Sequence, residues 1–273
     1  MAIGDISLTV GMRNNLLALS STTNLINQTQ NRLSTGKKVN TPLDNPTNYF
    51  ASQNALARAN DLSNRKDGMS EAVQMLNAAT AGIKGITSLI QSAQGVASSA
   101  LSTSDTVQQS AYAATYSSLL SQISQLASDS GYKGTNFLTN GSQTVEFGQR
   151  TNSATLAILG FNATSSGLTL NTVSSAGWTS TATITSASGE LESALSTLRT
   201  QSSALSSNLS VVTTRQSFTD TMINTLQTGS DNLTLADMNQ EGANMLMLQT
   251  RQNLGISSLS MASQAAQAVL KLF

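Results

Sequence analysis

Residues 41–76 read TPLDNPTNYFASQNALARANDLSNRKDGMSEAVQML, and this stretch decides the fold class. Both prolines of the chain, Pro42 and Pro46, stand at its start, so no proline ring interrupts a helix after Thr47. Asn45 carries an N-cap side chain, and Pro46 takes the first helical position, where its missing N–H costs nothing. Leu62, Lys66, Met69, Val73 and Leu76 then step by four and three. The stepping continues through Thr80, Ile83, Thr87, Ile90, Gln94, Ala97 and Leu101. Ile86, Leu89 and Val96 widen that face, as expected for a helix packed on more than one neighbour. The spacing predicts one helix from about Asn48 to about Ala100.

Outward from this helix the same period recurs on both sides. Upstream, Met12, Leu16, Leu19, Thr23, Ile26, Gln30 and Leu33 form a heptad seam. Downstream, STSD at 102–105 reads as a stop and a fresh cap, and Tyr112, Tyr116, Leu119, Ile123 and Leu126 give a shorter amphipathic helix. At Gly131 the pattern changes to Gly, Thr and Asn with apolar alternation of period two. Val145/Phe147, Leu156/Ile158, Leu168/Leu170 and Ala182/Ile184 read there as short strands or hairpins, with a solvated loop as the alternative after Gly160. Helical spacing returns at Leu191 and runs through Leu195, Leu198, Leu205, Leu209, Val212 and Ile223 to Leu226, with Gly229 as its C-terminal stop. Thr234 and Asp237 have capping-box spacing. The final helix places Met238, Gly242, Met245, Gln249, Gln252, Ile256, Leu259, Ser263, Ala266, Leu270 and Phe273 on one stripe.

The fold class is therefore mainly α: long paired N- and C-terminal coiled-coil helices, plus a central helical bundle with a small β-hairpin region. The expected domains are a discontinuous one, 1–40 with 236–273, and a central one, 41–235, whose hairpin and loop region is 131–189.

Composition limits the chemistry. Among 273 residues there is no His and no Cys, and charged residues make up 10%, well below the roughly 25% of ordinary domains. Ser, Thr, Asn and Gln supply about 44% instead. No disulfide, imidazole or thiolate metal site, cysteine nucleophile or Ser-His-Asp triad is available, and no cofactor is expected. Asp5, Asp44, Asp61 and Glu71 are not paired at spacings suited to acid–base work, so no catalytic residue is assigned. Zero net charge gives no footprint for nucleic acid. The longest uncharged stretches are polar, so no membrane insertion is expected, and the first residues lack the basic-then-apolar pattern of a cleavable signal peptide. The Met238, Met245, Met247 and Met261 group suits adaptable packing rather than metal binding.

Residues 14–31 and 252–270 carry no charge, whereas a helix at a monomer's surface normally displays Lys and Glu. Neutral polar side chains enter an interface without ionic desolvation. Isolated helices of this kind are marginal, and identical copies of the chain are the simplest further partners. Met12, Leu16, Leu19, Ile26, Leu33, Met238, Met245, Ile256, Leu259, Leu270 and Phe273 form the candidate self-assembly seam.

NRLSTGKKVN at 31–40 and KDGMS at 66–70 resemble the N-terminal signatures of bacterial flagellin. GYKGTNFLTNGS resembles the turn before that family's first hairpin, and the stretch from LTLADMNQEGAN to the final LKLF is similar to its C-terminus. The resemblance implies a short flagellin with a reduced exterior: a structural, non-enzymatic subunit whose terminal helices line the filament. It further implies unfolded export through the flagellar secretion channel to an extracellular flagellum. The implied partners are itself as a helical homopolymer, the export apparatus and a chaperone, and the hook-junction and cap proteins. The signatures favour flagellin over a hook–filament junction protein. A secreted helical adhesin or translocator, the reading from another class, would be a soluble monomer.

Overall fold

The structure is a computed structural model that describes residues 10–148, 154–171, 173, 178 and 180–270. Its described elements are helices α1 (Val10–Thr35), α2 (Pro46–Leu101) and α3 (Thr106–Asp129), strands β1 (Ser142–Glu146) and β2 (Thr155–Leu159), and helices α4 (Thr181–Thr234) and α5 (Met238–Leu270). Contacts divide the chain into two compact units, Met1–Ala57 with Leu226–Phe273, and Arg58–Thr225. This division falls inside α2 and α4, whereas the expected boundaries stood at 40 and 235. Ser52 and Ser230, both buried and joined hydroxyl to hydroxyl at 2.8 Å, place the first turns of α2 with the last turns of α4.

In the first unit α1 and α5 run antiparallel. Gly36 ends α1 in the left-handed region (φ 69°), its N–H donating to the Arg32 carbonyl at 2.8 Å. The Lys38 N–H then donates to the Thr234 carbonyl at 2.7 Å and the Ala236 N–H to the Gly36 carbonyl at 2.9 Å. Asn45 caps α2 by accepting from the Asn48 N–H at 3.0 Å, as its spacing suggests.

In the second unit the four-and-three faces of α2, α3 and α4 meet in one core, where Leu76, Ile83, Ile90, Tyr116, Ile123, Leu191, Leu198 and Leu205 are buried. Asp105 caps α3 by accepting from the Val107 N–H at 2.9 Å. The Lys133–Gly134 turn has positive φ at both residues (48° and 84°), and Tyr132 and Thr135 exchange backbone hydrogen bonds across it. β1 and β2 pair antiparallel with Val145 opposite Leu156, and Val145 and Ile158 point into the core. Arg65 to Glu146, Lys133 to Glu71, and Lys66 to Asp220 at 2.6 Å tie the hairpin, turn and α4 to α2.

Four local expectations are corrected. Leu168 and Leu170 are buried but form no strand: their N–H groups donate to Thr164 and Ser165 carbonyls in a compact turn. Ala182 and Ile184 lie in the first turn of α4, which begins at Thr181 rather than Leu191. Buried Ile184, Ala187 and Leu191 step by three and four, a period that two residues at spacing two cannot reveal. Gly229 lies within α4, which continues to Thr234. Finally, the Thr234 hydroxyl donates back to Ser230, and Asp237 is the cap of α5, accepting from the Asn239 and Gln240 N–H groups at 2.9 and 3.2 Å.

Candidate assembly surface

The contact between α1 and α5 follows a heptad that differs from the expected seam at several positions. Met12, Thr22, Ile26 and Thr29 of α1 are buried, with Leu19 and Leu33 half-buried between them. On α5, Glu241 and Leu248 are buried, and Met245, Gln252, Gly255, Leu259, Ala262 and Ala266 are half-buried. The expected members Met12, Leu19, Ile26, Leu33, Met245 and Leu259 thus lie on the contact. Leu16, Met238 and Ile256 are exposed, and Thr29, Leu248 and Gly255 occupy the contact instead of Gln30, Gln249 and Ile256, while Thr22 is buried beside half-buried Thr23. Leu270 ends α5 but its side chain lies outside the described residues, as does Phe273.

Size explains the displacement from Ile256 to Gly255. A Cβ on Gly255 would lie 2.5 Å from Leu19 Cδ1, so the glycine is the hole that receives the leucine knob. Small and hydroxyl residues let the two backbones approach, and bulky Leu16 and Ile256 are left on the outside. At one end of the pair, Arg32 Nη1 donates to Glu241 Oε1 at 3.0 Å. Glu241 Oε2 is buried without a hydrogen-bond partner among the described residues.

Both helices carry a second apolar surface that the sequence pattern contains and the seam reading missed. Met247, Leu254 and Met261 repeat at seven residues along α5 and are all exposed, Leu254 to 64%. Leu246 widens this stripe. On α1, Val10 and Leu17 share the same spacing, Leu17 being 68% exposed, and Leu25 adds to them. Each helix is thus two-faced, with one stripe met by its partner within the unit and the other bare. An exposed apolar surface of this kind marks a contact site.

Arg65 and Lys66 pair within the chain with Glu146 and Asp220, and Lys38 Nζ donates to the Asn232 carbonyl at 3.4 Å. Among the described residues no group of three or more metal-ligating side chains occurs, and no helix is long and apolar enough to cross a membrane.

Residues 6–144 match the family model for the bacterial flagellin N-terminal helical region. The chain belongs to the bacterial flagellin family. Flagellin FljO of Caulobacter vibrioides is 28% identical over 274 residues, and flagellin FljK of the same organism is 30% identical over 274 residues. Both alignments cover 100% of this chain and of the relative. The crystal structure of Bacillus cereus flagellin is 16% identical with a TM-score of 0.48, covering 56% of this chain and 88% of that one. As a flagellin, the chain is a structural subunit of the bacterial flagellar filament, a role that the hook–filament junction and adhesin readings do not match. The seam shift and the bare stripes are accordingly features of a flagellin's terminal helices.

Proposed function

We propose that the chain polymerises through the outward stripes of its terminal helices, with 1–40 and 236–273 as the inner layer of the filament and 41–235 as the next shell. The supporting observation is the exposed Met247–Leu254–Met261 stripe beside a seam already filled by α1. An apolar stripe of this length has no use in a monomer. Its flanks are mainly Ser, Thr, Asn and Gln, with Arg251 as the one charged residue lining it, so burying it strips few ions of their water. In this reading the chain has no enzymatic activity. It travels unfolded through the flagellar export apparatus with a chaperone, and joins the extracellular filament between hook-junction and cap proteins.

Deleting residues 1–30 removes most of α1 and uncovers the inner seam of α5. Seeding purified protein with filament fragments and imaging the product by electron microscopy tests the proposal. The full chain should extend the seeds. The truncated chain should not, while its circular dichroism keeps the helical signal of α2, α3 and α4. Filaments grown from the truncation would refute the assignment of the terminal helices.

A further inference from the structure

Leu43 is 94% exposed, yet the turn that carries it is tightly held. Asp44 Oδ2 accepts from the Thr41 N–H at 2.9 Å, the Asn40 N–H at 3.0 Å and the Thr41 hydroxyl at 3.1 Å. The Asp44 N–H returns to the Thr41 carbonyl at 3.1 Å, and the Asn40 amide donates to Thr35 Oγ1 at 2.8 Å. The Thr41 and Asn40 amides hold the Asp44 carboxyl below the usual carboxylate range, so it is a fixed anion. A leucine presented to water on a braced turn has already lost the freedom that binding would remove, which is the property of an interface anchor.

The same unit carries an open apolar depression. Leu246, Met247 and Leu254, with Thr250 and Arg251, line a shallow groove of about 500 Å³ on α5. None of these residues lies on the seam with α1. Neither Arg251 nor Asp44 belongs to an ion pair among the described residues. Knob and groove are thus each apolar beside a charge, Asp44 and Arg251, of opposite sign; Arg32 also acts on Asp44 but is itself paired with Glu241.

Leu43 does not reach the groove of its own chain. It begins eight residues into α5, roughly 12 Å beyond the start of that helix, and extends roughly 12 Å further at 1.5 Å per residue. The 36–39 segment is hydrogen-bonded at Thr234 and Ala236. Leu43 follows Val39 by four residues, bent into a turn, and stays bare.

We infer that Leu43 of one copy inserts into the Leu246–Leu254 groove of a neighbouring copy, with Asp44 beside Arg251; this rests on the filament reading above. Knob and groove are different patches, so the contact is heterologous and propagates as an open helical array rather than closing on itself.

The absence of cysteine from the chain makes cross-linking specific. Leu43→Cys protein is mixed with Leu246→Cys, Met247→Cys or Leu254→Cys protein, polymerised on seeds, and oxidised. At least one groove position should link to residue 43 in polymer, and none in unpolymerised mixtures. Leu43→Ala, an exposed change that leaves the monomer folded, should raise the critical concentration about tenfold or more. Leu254→Ala should add little to Leu43→Ala, because the two remove one shared contact. Polymer that shows no cross-link at any groove position, or an unchanged critical concentration for Leu43→Ala, overturns the inference. Failure of the unaltered protein to extend seeds would instead strike the filament reading itself.

Discussion

Replacing Tyr116 with phenylalanine removes one oxygen from the centre of the Arg58–Thr225 unit and should not weaken it. Tyr116 is fully buried, and its hydroxyl has no hydrogen-bond partner among the described residues. Its ring sits 5.1 Å from that of Trp178, tilted by 47°, a contact that Phe retains. A buried polar group without a partner costs about 1–3 kcal/mol, and the void left by one oxygen offsets part of that. The expected net change at neutral pH lies between zero and a stabilisation of about 1 kcal/mol. Alkaline pH separates the variants further. Burial pushes the Tyr116 pKa up to about 12, with the charge of Glu190 adding to the shift. The unfolded value is near 10, so the unfolded chain gives up this proton first. The folded state keeps its full stability below pH 10 and loses it as pH rises toward 12, by about 1.4 kcal/mol at pH 11. Tyr116→Phe lacks this loss, and the other tyrosines are common to both proteins. Urea unfolding followed by Trp178, the chain's single tryptophan, at pH 7 and pH 11 measures both effects. A Phe variant weaker by more than about 1 kcal/mol at pH 7 would mean that the hydroxyl has a partner. An identical pH dependence in the two proteins would refute the shielding of Tyr116.

Two further substitutions test the packing. Ile26→Ala, at a buried seam position, should destabilise the α1–α5 pair by about 2–4 kcal/mol, whereas Leu16→Ala should change the monomer by less than about 0.5 kcal/mol; hydrogen exchange of α1 amides reads the difference. A Cβ on Gly160 would meet the Gly141 and Phe137 carbonyl oxygens at 2.4 Å each. Gly160→Ala therefore forces backbone apart and should cost on the order of 3 kcal/mol, seen as a lowered thermal midpoint of the Arg58–Thr225 unit.

The elements that were legible in the sequence are those whose seams are built from large aliphatic residues. Leu62, Met69, Leu76, Ile83, Ile90 and Ala97 of α2, and Leu191, Leu195, Leu198, Leu205 and Val212 of α4, are all buried where their spacing puts them. Between α1 and α5 the same spacing is displaced by one residue at Gln30, Gln249 and Ile256. At Ile256 it took the bulkier side chain over Gly255, while close backbone approach to Leu19 requires the smaller. Leu16 and Ile256 are large because they face outward onto surface that is bare in one copy. In a helix with two apolar stripes, periodicity alone does not say which stripe meets the partner in the same chain. The Leu43 knob left no periodic trace, because its exposure depends on hydrogen bonds to Asp44 that spacing does not report. The start of α4 was hidden for a related reason: Ala187 and Ala194 are seam residues there, and alanine carries little apolar signal.

The hydroxyl-rich composition has a structural counterpart inside the helices. Thr22 donates to the Ala18 carbonyl, Thr80 to Leu76, Thr87 to Ile83, Thr213 to Leu209 and Thr250 to Leu246, each four residues back at 2.8–2.9 Å. A hydroxyl bonded in this way has satisfied its one proton within its own helix, and it turns a methyl group and acceptor lone pairs toward whatever lies beside it. Thr22 is buried and Thr80 and Thr87 are half-buried, whereas Thr213 and Thr250 are exposed to water. Replacing that water with a second copy would strand no donor, whereas a Lys or Glu at the same place would have to shed ionic hydration. The 10% charge and the abundance of Ser and Thr therefore follow from one requirement, that helix faces wet in the free subunit can be dried on assembly without leaving a donor unpaired.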